Sequence, residues 1–348
     1  MIEYNFRVTT RSDRFTISNM NPNSVLPGLI TSYSVTGAEN DLNIWPDQCD
    51  HVEVYSFMKQ RLPAMKTPET TVVQYLADLY DSNQTEIVVA EVLAQALGKK
   101  IVGFATFMPE LTANTARLED LENSQKALFI LIEAVRALQT EGHPIKTVEI
   151  VGGSKVQRIF RSGKDFVAER LSAKASIQAL VARLKPLAEK ALRPKPVFLS
   201  VEVEPGPLYS LSDANSVEKF CKAIDESGSE SLKRCIGLNL DIPHWAFLSD
   251  LDLRWLLAPE RKFIRDRIAH MHICDHAKGH FADNIIGLFN DENVFREWIK
   301  FANQIKAEPR GEDFPEFSGF ISCEMEACGK EELLRAGYEK FAQLIASC

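Results

Sequence analysis

The sequence predicts an α/β fold in which eight parallel strands, alternating with helices, close into a (β/α)8 (TIM) barrel. Short runs rich in Val, Ile, Leu and Phe recur along the chain, as in strands that are buried on both faces. Helical segments separate these runs, and such alternation is typical of a parallel sheet. The four runs in the second half end in acids or histidines, and the carboxyl ends of barrel strands are where chemistry is placed. An open, doubly wound sheet is the alternative, but no GxGxxG or Walker A sequence supports it.

The predicted elements span most of the chain. The strands are Leu26–Val35, His51–Met58, Ile101–Phe107, Lys146–Val151, Val197–Pro207, Ile236–Trp245, Ile268–His276 and Phe320–Cys328. The helices lie within Thr70–Leu97, Ser124–Leu138, Ile177–Leu187, Ser216–Ile224, Asp252–Arg265, Glu292–Ala307 and Leu334–Ile345. Residues 1–24 are expected to form a short N-terminal extension, and no linker or repeat divides the chain. Residues 1–348 are therefore predicted to form a single barrel domain.

Composition narrows the function classes. The net charge of −8 gives no indication of binding to nucleic acid or anionic lipid. No apolar run approaches the roughly 18 to 20 residues that a membrane-spanning helix needs. Seven scattered cysteines and an N-terminus without secretory features predict reduced thiols. We expect a cytoplasmic protein with a small-molecule partner and no membrane or nucleic-acid partner; a homo-oligomer is compatible with the sequence.

Two strand ends carry paired acids. Glu202 and Glu204 are two residues apart, so both point to the same face of one strand, and Glu324 and Glu326 repeat this arrangement on the last strand. Acids in an apolar strand are costly to bury unpaired, and each pair alone could be a rim charge at a polar mouth. Their recurrence favours one shared site.

The two strands between these pairs end in mixed acid and histidine motifs. Asp241 and His244 form a D-x-x-H sequence, and His272 and Asp275 form an H-x-x-D sequence. His270 shares a face with His272 but lies deeper, as either a hydrogen-bonded core residue or a residue that supports the side chains of the site. Carboxylates with one imidazole and no thiolate suit one divalent metal, Mg²⁺, Mn²⁺, Co²⁺ or Zn²⁺, with positions open for substrate or water.

The series Glu, D-x-x-H, H-x-x-D and Glu over residues 197–328 resembles the xylose isomerase-like barrel superfamily of sugar isomerases and epimerases. In its epimerases a single divalent metal is held by Glu, Asp, His and Glu. By motif position the resemblance implies Glu202, Asp241, His272 and Glu324 as ligands. The run GFISCE is similar to the family's eighth strand and favours Glu324 over Glu326.

The resemblance also implies the groups that contact the substrate. His244 corresponds to the histidine that touches substrate oxygens, and Asp275 to a residue beside it. Glu204 and Glu326, the neighbours of the two ligand glutamates, are expected to line the same pocket. Endonuclease IV-like nucleases belong to the same superfamily, but they need further histidines after the second and third strands, where Val54–Met58 and Phe104–Glu110 contain none.

The implied activity is that of a metal-dependent isomerase or epimerase of carbohydrate metabolism. A metal that bridges a carbonyl and a neighbouring hydroxyl acidifies the C–H bond between them and stabilises the resulting enediolate. Glu202 and Glu324 would remove and return the proton as acid and base. The expected substrate is a sugar or sugar-like polyol. Two alternatives stay open: a lyase or dehydratase that uses the same site, and a non-catalytic barrel that binds a metabolite.

Overall fold

Eight strands in the computed structural model pair in parallel and form a closed ring, which confirms the predicted barrel. The structure describes residues 24–30, 49–55, 72–106, 108, 111, 117–162, 165–247, 252–276, 285–325 and 331–348. The strands within these ranges are β1 (Leu26–Ile30), β2 (His51–Tyr55), β3 (Lys100–Ala105), β4 (Thr147–Val151), β5 (Val156–Ser162), β6 (Asp165–Arg170), β7 (Phe198–Glu202), β8 (Ile236–Asp241), β9 (Ile268–Ile273) and β10 (Phe320–Cys323). The barrel order is β1-β10-β9-β8-β7-β4-β3-β2. Apart from Ser24, the predicted N-terminal extension lies outside the described ranges.

Helices follow the barrel strands along the chain. The described helices are α1 (Val72–Asp81), α2 (Thr85–Ala96), α3 (Leu118–Thr140), α4 (Ala173–Leu192), α5 (Ala214–Asp225), α6 (Glu230–Cys235), α7 (Ile242–Phe247), α8 (Leu253–Leu257), α9 (Lys262–Arg265), α10 (Glu292–Ala307) and α11 (Glu331–Ala346). Side-chain caps begin several of them: Ser172 and Asp213 accept hydrogen bonds from first-turn backbone amides, which lack partners within the helix. None of these helices is long and apolar enough to cross a membrane.

Apolar side chains fill the layer between strands and helices. Leu238 and Leu240 of β8 are completely buried, as are Phe295, Ile299 and Ala302, which recur every three or four residues along α10. All five belong to one continuous hydrophobic core. Side chains alternate along a strand, so the β8 residue between Leu238 and Leu240 points into the barrel.

The interior of the barrel is polar. Glu53, His270 and Ser322 have no exposed surface, and Glu53 on β2 contacts His270 on β9 although two other strands separate them in the ring. Such a contact has to cross the interior. Barrel interiors are commonly filled with branched apolar side chains, so buried polar groups in this interior need partners of their own.

An antiparallel hairpin, β5 and β6, is inserted between β4 and α4, where the sequence pattern predicted no element. Its base is bound to the loop that follows β7. The Lys155 amide donates to the Leu208 carbonyl, and Ser154 forms a β-bridge with Tyr209. Because it leaves the carboxyl end of β4, the hairpin belongs to the loop side of the barrel.

Candidate metal centre

The four residues that the resemblance implies as ligands lie together at the carboxyl ends of neighbouring strands. Glu202 ends β7, Asp241 ends β8, His272 lies in β9 and Glu324 directly follows β10. One potential ligand atom from each lies within 4.8 Å of the other three. His272 Nδ1 is 3.1 Å from Glu324 Oε2 and 3.8 Å from Glu202 Oε1. The fold therefore brings the whole predicted set to one point.

Strand register explains the convergence. Asp241 of β8 is the direct partner of His272 in β9, and His272 is the direct partner of Ser322 in β10. Glu324 is two residues beyond Ser322, so it points to the same face one level nearer the mouth. Glu202 pairs with Asn239, one level below Asp241. Adjacent parallel strands thus hold their polar ends at neighbouring levels near the mouth of the barrel.

Several acidic side chains are buried close together in the site. Burial, followed by the negative charges of Glu149, Glu204, Asp241 and Glu324, raises the pKa of Glu202 well above its ordinary value. Asp241 is 1% exposed. Such a set of carboxylates is stabilised by a cation placed among them, because the cation offsets both their mutual repulsion and their loss of hydration.

The donor set fits a divalent metal. Three carboxylates and one imidazole, with no thiolate among them, match the ligands of Mn²⁺, Mg²⁺, Co²⁺ and Zn²⁺. Although burial alone lowers it, the carboxylates of Glu53 and Glu324 hold the pKa of His272 well above its usual range. A cation among the carboxylates would compete with that imidazole proton.

His244 lies against the acid cluster in the first turn of α7. Its Nδ1 is 3.5 Å from Glu202 Oε1 and 4.0 Å from Glu204 Oε2, and its Nε2 is 3.5 Å from Asp241 Oδ2. Burial lowers the pKa of His244 to about 4, against the attraction of Glu204. A neutral imidazole next to the ligands can both donate and accept hydrogen bonds.

Asp275 has a different environment. Its Oδ2 accepts hydrogen bonds from the backbone amides of Phe289 and Asn290 at 2.8 and 3.2 Å. Its Oδ1 accepts from the backbone amide of His276 at 2.8 Å and from the side-chain amide of Asn290. Both oxygens thus bind the segment that enters α10.

Glu326 lies outside the described residues, so the choice between Glu324 and Glu326 stays a prediction. Glu204, the other expected pocket residue, is buried beside His244.

Sequence reasoning missed Glu149. This residue of β4 is 3% exposed, and its Oε2 accepts a hydrogen bond from the Thr106 amide at 3.0 Å. Burial raises the pKa of Glu149 well above its usual value, and Glu202 is a hydrogen-bond partner. The signal was present in the run TVEIV, an acid between β-branched residues of a buried strand.

Glu53 was missed in the same way, in the run HVEVY of β2. Its Oε2 lies 2.8 Å from His270 Nε2 and 3.3 Å from His272 Nε2. Although burial opposes it, the two histidines hold the pKa of Glu53 well below its usual value. A second group of potential ligands, Glu53, His270 and His272, therefore shares His272 with the first.

Comparison with known proteins gives one family match. The family model for the xylose isomerase-like TIM barrel matches residues 74–344 of the chain. No curated protein matches the chain significantly.

Solved structures share the fold at low sequence identity. A candidate xylose isomerase from Rhodospirillum rubrum is 14% identical with a TM-score of 0.56, over 93% of this chain and 99% of that one. A D-allulose 3-epimerase from Methylomonas sp., in complex with D-allulose, is 15% identical with a TM-score of 0.52, over 92% and 98%. The IolI protein with a bound zinc atom is 15% identical with a TM-score of 0.51, over 92% and 95%. At these identities the likeness concerns the fold.

Proposed function

Since the chain belongs to the xylose isomerase-like TIM barrel family, we propose that it is a divalent-metal-dependent isomerase or epimerase of a sugar or sugar-like polyol. The observation that carries the proposal is the convergence of Glu202, Asp241, His272 and Glu324 within 4.8 Å at the carboxyl ends of four strands. Proteins of the same fold that bind zinc and D-allulose support it.

We propose that these four residues hold the metal. A bound divalent cation would polarise a carbonyl oxygen and so acidify the C–H bond on the adjacent carbon. The three carboxylates would repel a further anionic group. A neutral polyol therefore suits the site better than a substrate with a carboxylate on the reacting carbon.

Glu202 and Glu324 are the proposed acid and base. They end strands that lie on either side of the β8–β9 pair, so they approach the space above His272 from different directions. One of them, as a carboxylate, can remove the proton of the carbon acid, and the other, as a protonated carboxylic acid, can deliver its proton to the opposite face, which inverts that carbon. Return of the proton to the neighbouring carbon gives isomerisation through the same enediolate.

His244 and Glu204 are proposed to orient substrate hydroxyls. Both are buried at the edge of the proposed ligand set, and His244 Nδ1 is 4.0 Å from Glu204 Oε2. Both lie close enough to Glu202 to contact a substrate that is bound there. Asp275 is proposed to act on the substrate pocket through the segment that its carboxylate holds, at Phe289 and Asn290.

The test combines metal analysis with proton exchange. Protein purified without chelator is assayed for bound metal, then incubated with a panel of ketoses and related polyols in D₂O. We expect deuterium beside the carbonyl and a product that otherwise keeps the mass of the substrate. The same protein stripped of metal by a chelator is the matched control and should give neither.

Other results would contradict the proposal. Loss of water or of a carbon fragment would identify a lyase. Tight binding of a sugar with neither product nor deuterium incorporation would identify a non-catalytic binder. Protein that takes up no divalent metal would remove the basis of the proposal.

A further inference from the structure

We propose that Glu53 is a positioning residue of the metal centre: it holds His272 in the tautomer that presents Nδ1 to the metal. The inference rests on the proposed metal site but adds residues from the opposite half of the barrel. Neither the ligand series nor the family comparison assigns a role to Glu53.

The contact crosses the interior of the barrel. Glu53 is on β2 and His272 on β9, with β1 and β10 between them in the ring. Glu53 is completely buried and His272 is 2% exposed. Glu53 Oε2 is 3.3 Å from His272 Nε2. No local chain geometry requires this pairing, since the residues are far apart both in sequence and around the ring.

The chemistry of the contact assigns the tautomer. An ionised carboxylate only accepts hydrogen bonds, so the Nε2 atom that faces Glu53 carries the hydrogen. A neutral imidazole then has its lone pair on Nδ1. Nδ1 also faces carboxylates, at 3.1 Å from Glu324 Oε2 and 3.8 Å from Glu202 Oε1, but these two belong to the proposed ligand set. A cation held by them would take the place of a hydrogen on Nδ1, whereas Glu53 lies outside the set of four and keeps the hydrogen on Nε2. The Asn239 side-chain nitrogen lies 3.0 Å from Nδ1 and 3.3 Å from Nε2, so this contact does not distinguish the two tautomers.

His270 in turn fixes Glu53. Its Nε2 is 2.8 Å from Glu53 Oε2, and its Nδ1 is 2.7 Å from Ser318 Oγ. Both ring nitrogens of this completely buried residue thus have protein partners. Ser318, His270, Glu53 and His272 form a chain of hydrogen bonds that ends at His272 Nε2, the ring nitrogen opposite the one proposed to bind the metal. Carboxylates that accept from the second nitrogen of a ligand histidine typically fix its orientation.

A second metal ion is the competing explanation, because Glu53, His270 and His272 also lie within 4.8 Å of one another. Hydrogen bonds account for these contacts without an ion. The second nitrogen of His270 already binds Ser318, and its Nε2 is also 3.1 Å from Ser322 Oγ. The number of metal ions bound per chain separates the two explanations.

The first experiment measures metal affinity. Glu53→Gln keeps the size of the side chain but replaces an acceptor oxygen with an N–H donor, which favours the opposite tautomer of His272. We expect Zn²⁺ affinity to fall by about 10–100-fold, as for other supporting residues of metal ligands. Ser318→Ala removes only the far end of the chain and should cause a smaller loss. Circular dichroism checks that both variants fold.

The second experiment needs no variant of Glu53. Nitrogen-15 NMR of histidine-labelled, Zn²⁺-loaded native protein should show the His272 hydrogen on Nε2, with the resonance assigned by comparison with His272→Asn. A hydrogen on Nδ1, two Zn²⁺ ions per chain, or unchanged affinity in a folded Glu53→Gln variant would overturn the inference. Failure of native protein to bind any divalent metal would instead overturn the proposed function.

Discussion

The two halves of the barrel contribute to the site in different ways. In the second half, β7, β8, β9 and β10 each place one potential ligand at or next to the carboxyl end. In the first half, the buried acids Glu53 and Glu149 contact the candidate ligands His272 and Glu202 rather than joining the set of four. One half therefore contains the candidate ligands, and the other half contains acids that contact and support them. This division predicts a graded response to substitution.

The largest effect is expected at Glu324, in the ligand half. Glu324→Gln retains the size of the side chain and one ligand oxygen but cannot hold the transferred proton. Turnover should fall on the order of 10²–10⁴-fold, as for other general acid–base groups. Deuterium exchange into the substrate in D₂O is the measurement, with substrate affinity recorded separately.

Glu149→Gln is the matched variant in the supporting half, since it makes the same chemical change in another buried acid. It should lower turnover less than Glu324→Gln. Full activity of the Glu324→Gln variant would remove Glu324 from the mechanism, and equal losses in the two variants would abolish the distinction between the halves.

The next effect concerns metal affinity. Asp241→Asn removes the charge of the most deeply buried of the ligand carboxylates and should weaken binding beyond the roughly 10–100-fold typical of supporting residues. Glu149→Gln should stay within that range. Calorimetric titration with Mn²⁺ and Zn²⁺ measures both variants. A weaker effect of Asp241→Asn than of Glu149→Gln would mean that the ligand set is wrongly chosen.

Metal removal should lower the stability of the whole protein by a moderate amount. A ligand that binds only the folded state, at 100 times its dissociation constant, stabilises that state by about 3 kcal/mol. The buried acids around Glu202 repel one another without the cation, which acts in the same direction. Urea unfolding with and without chelator gives the difference. Identical unfolding curves would show that no metal is bound in the native state.

The smallest effect is expected at Asp275. Asp275→Asn retains one acceptor but cannot accept from both sets of amides, so the segment at Phe289 and Asn290 loosens. The cost should be about 1–3 kcal/mol, confined to that segment. We expect a higher KM with little change in kcat or in metal affinity. A loss of metal affinity as large as that of Asp241→Asn would place Asp275 in the ligand set.

The half of the barrel that contains the candidate ligands, β7 to β10, could be predicted from the sequence. Each of its strands is an apolar run that stops at a polar group, and the same signal occurs four times. The alternation of strands and helices indicates a parallel sheet, and closure of that sheet into a barrel places the four ends together. The boundaries of α10 were also predicted, at Glu292 and Ala307, because its apolar side chains recur every three or four residues. The structure adds that Asp291 caps the first turn of this helix.

The supporting half was harder to predict for a physical reason. Glu53 and Glu149 lie two residues before the ends of β2 and β4, between apolar neighbours. The alternation of side chains along a strand indicates that each of these acids faces one side of the sheet. Only the closed barrel determines that this side is the interior. The hairpin β5–β6 was missed because its alternation is interrupted by charged residues, as in a loop.

The hairpin β5–β6 and the candidate metal ligands lie in different parts of the barrel. The hairpin is an insertion in a single loop, bound at its base to the loop after β7, whereas the candidate metal ligands belong to the strands or immediately follow them. We therefore expect that its length and composition can change while the geometry of the candidate ligands is preserved. For protein engineers, the hairpin is then a segment to exchange when the loops of the barrel are varied and the candidate metal centre is kept.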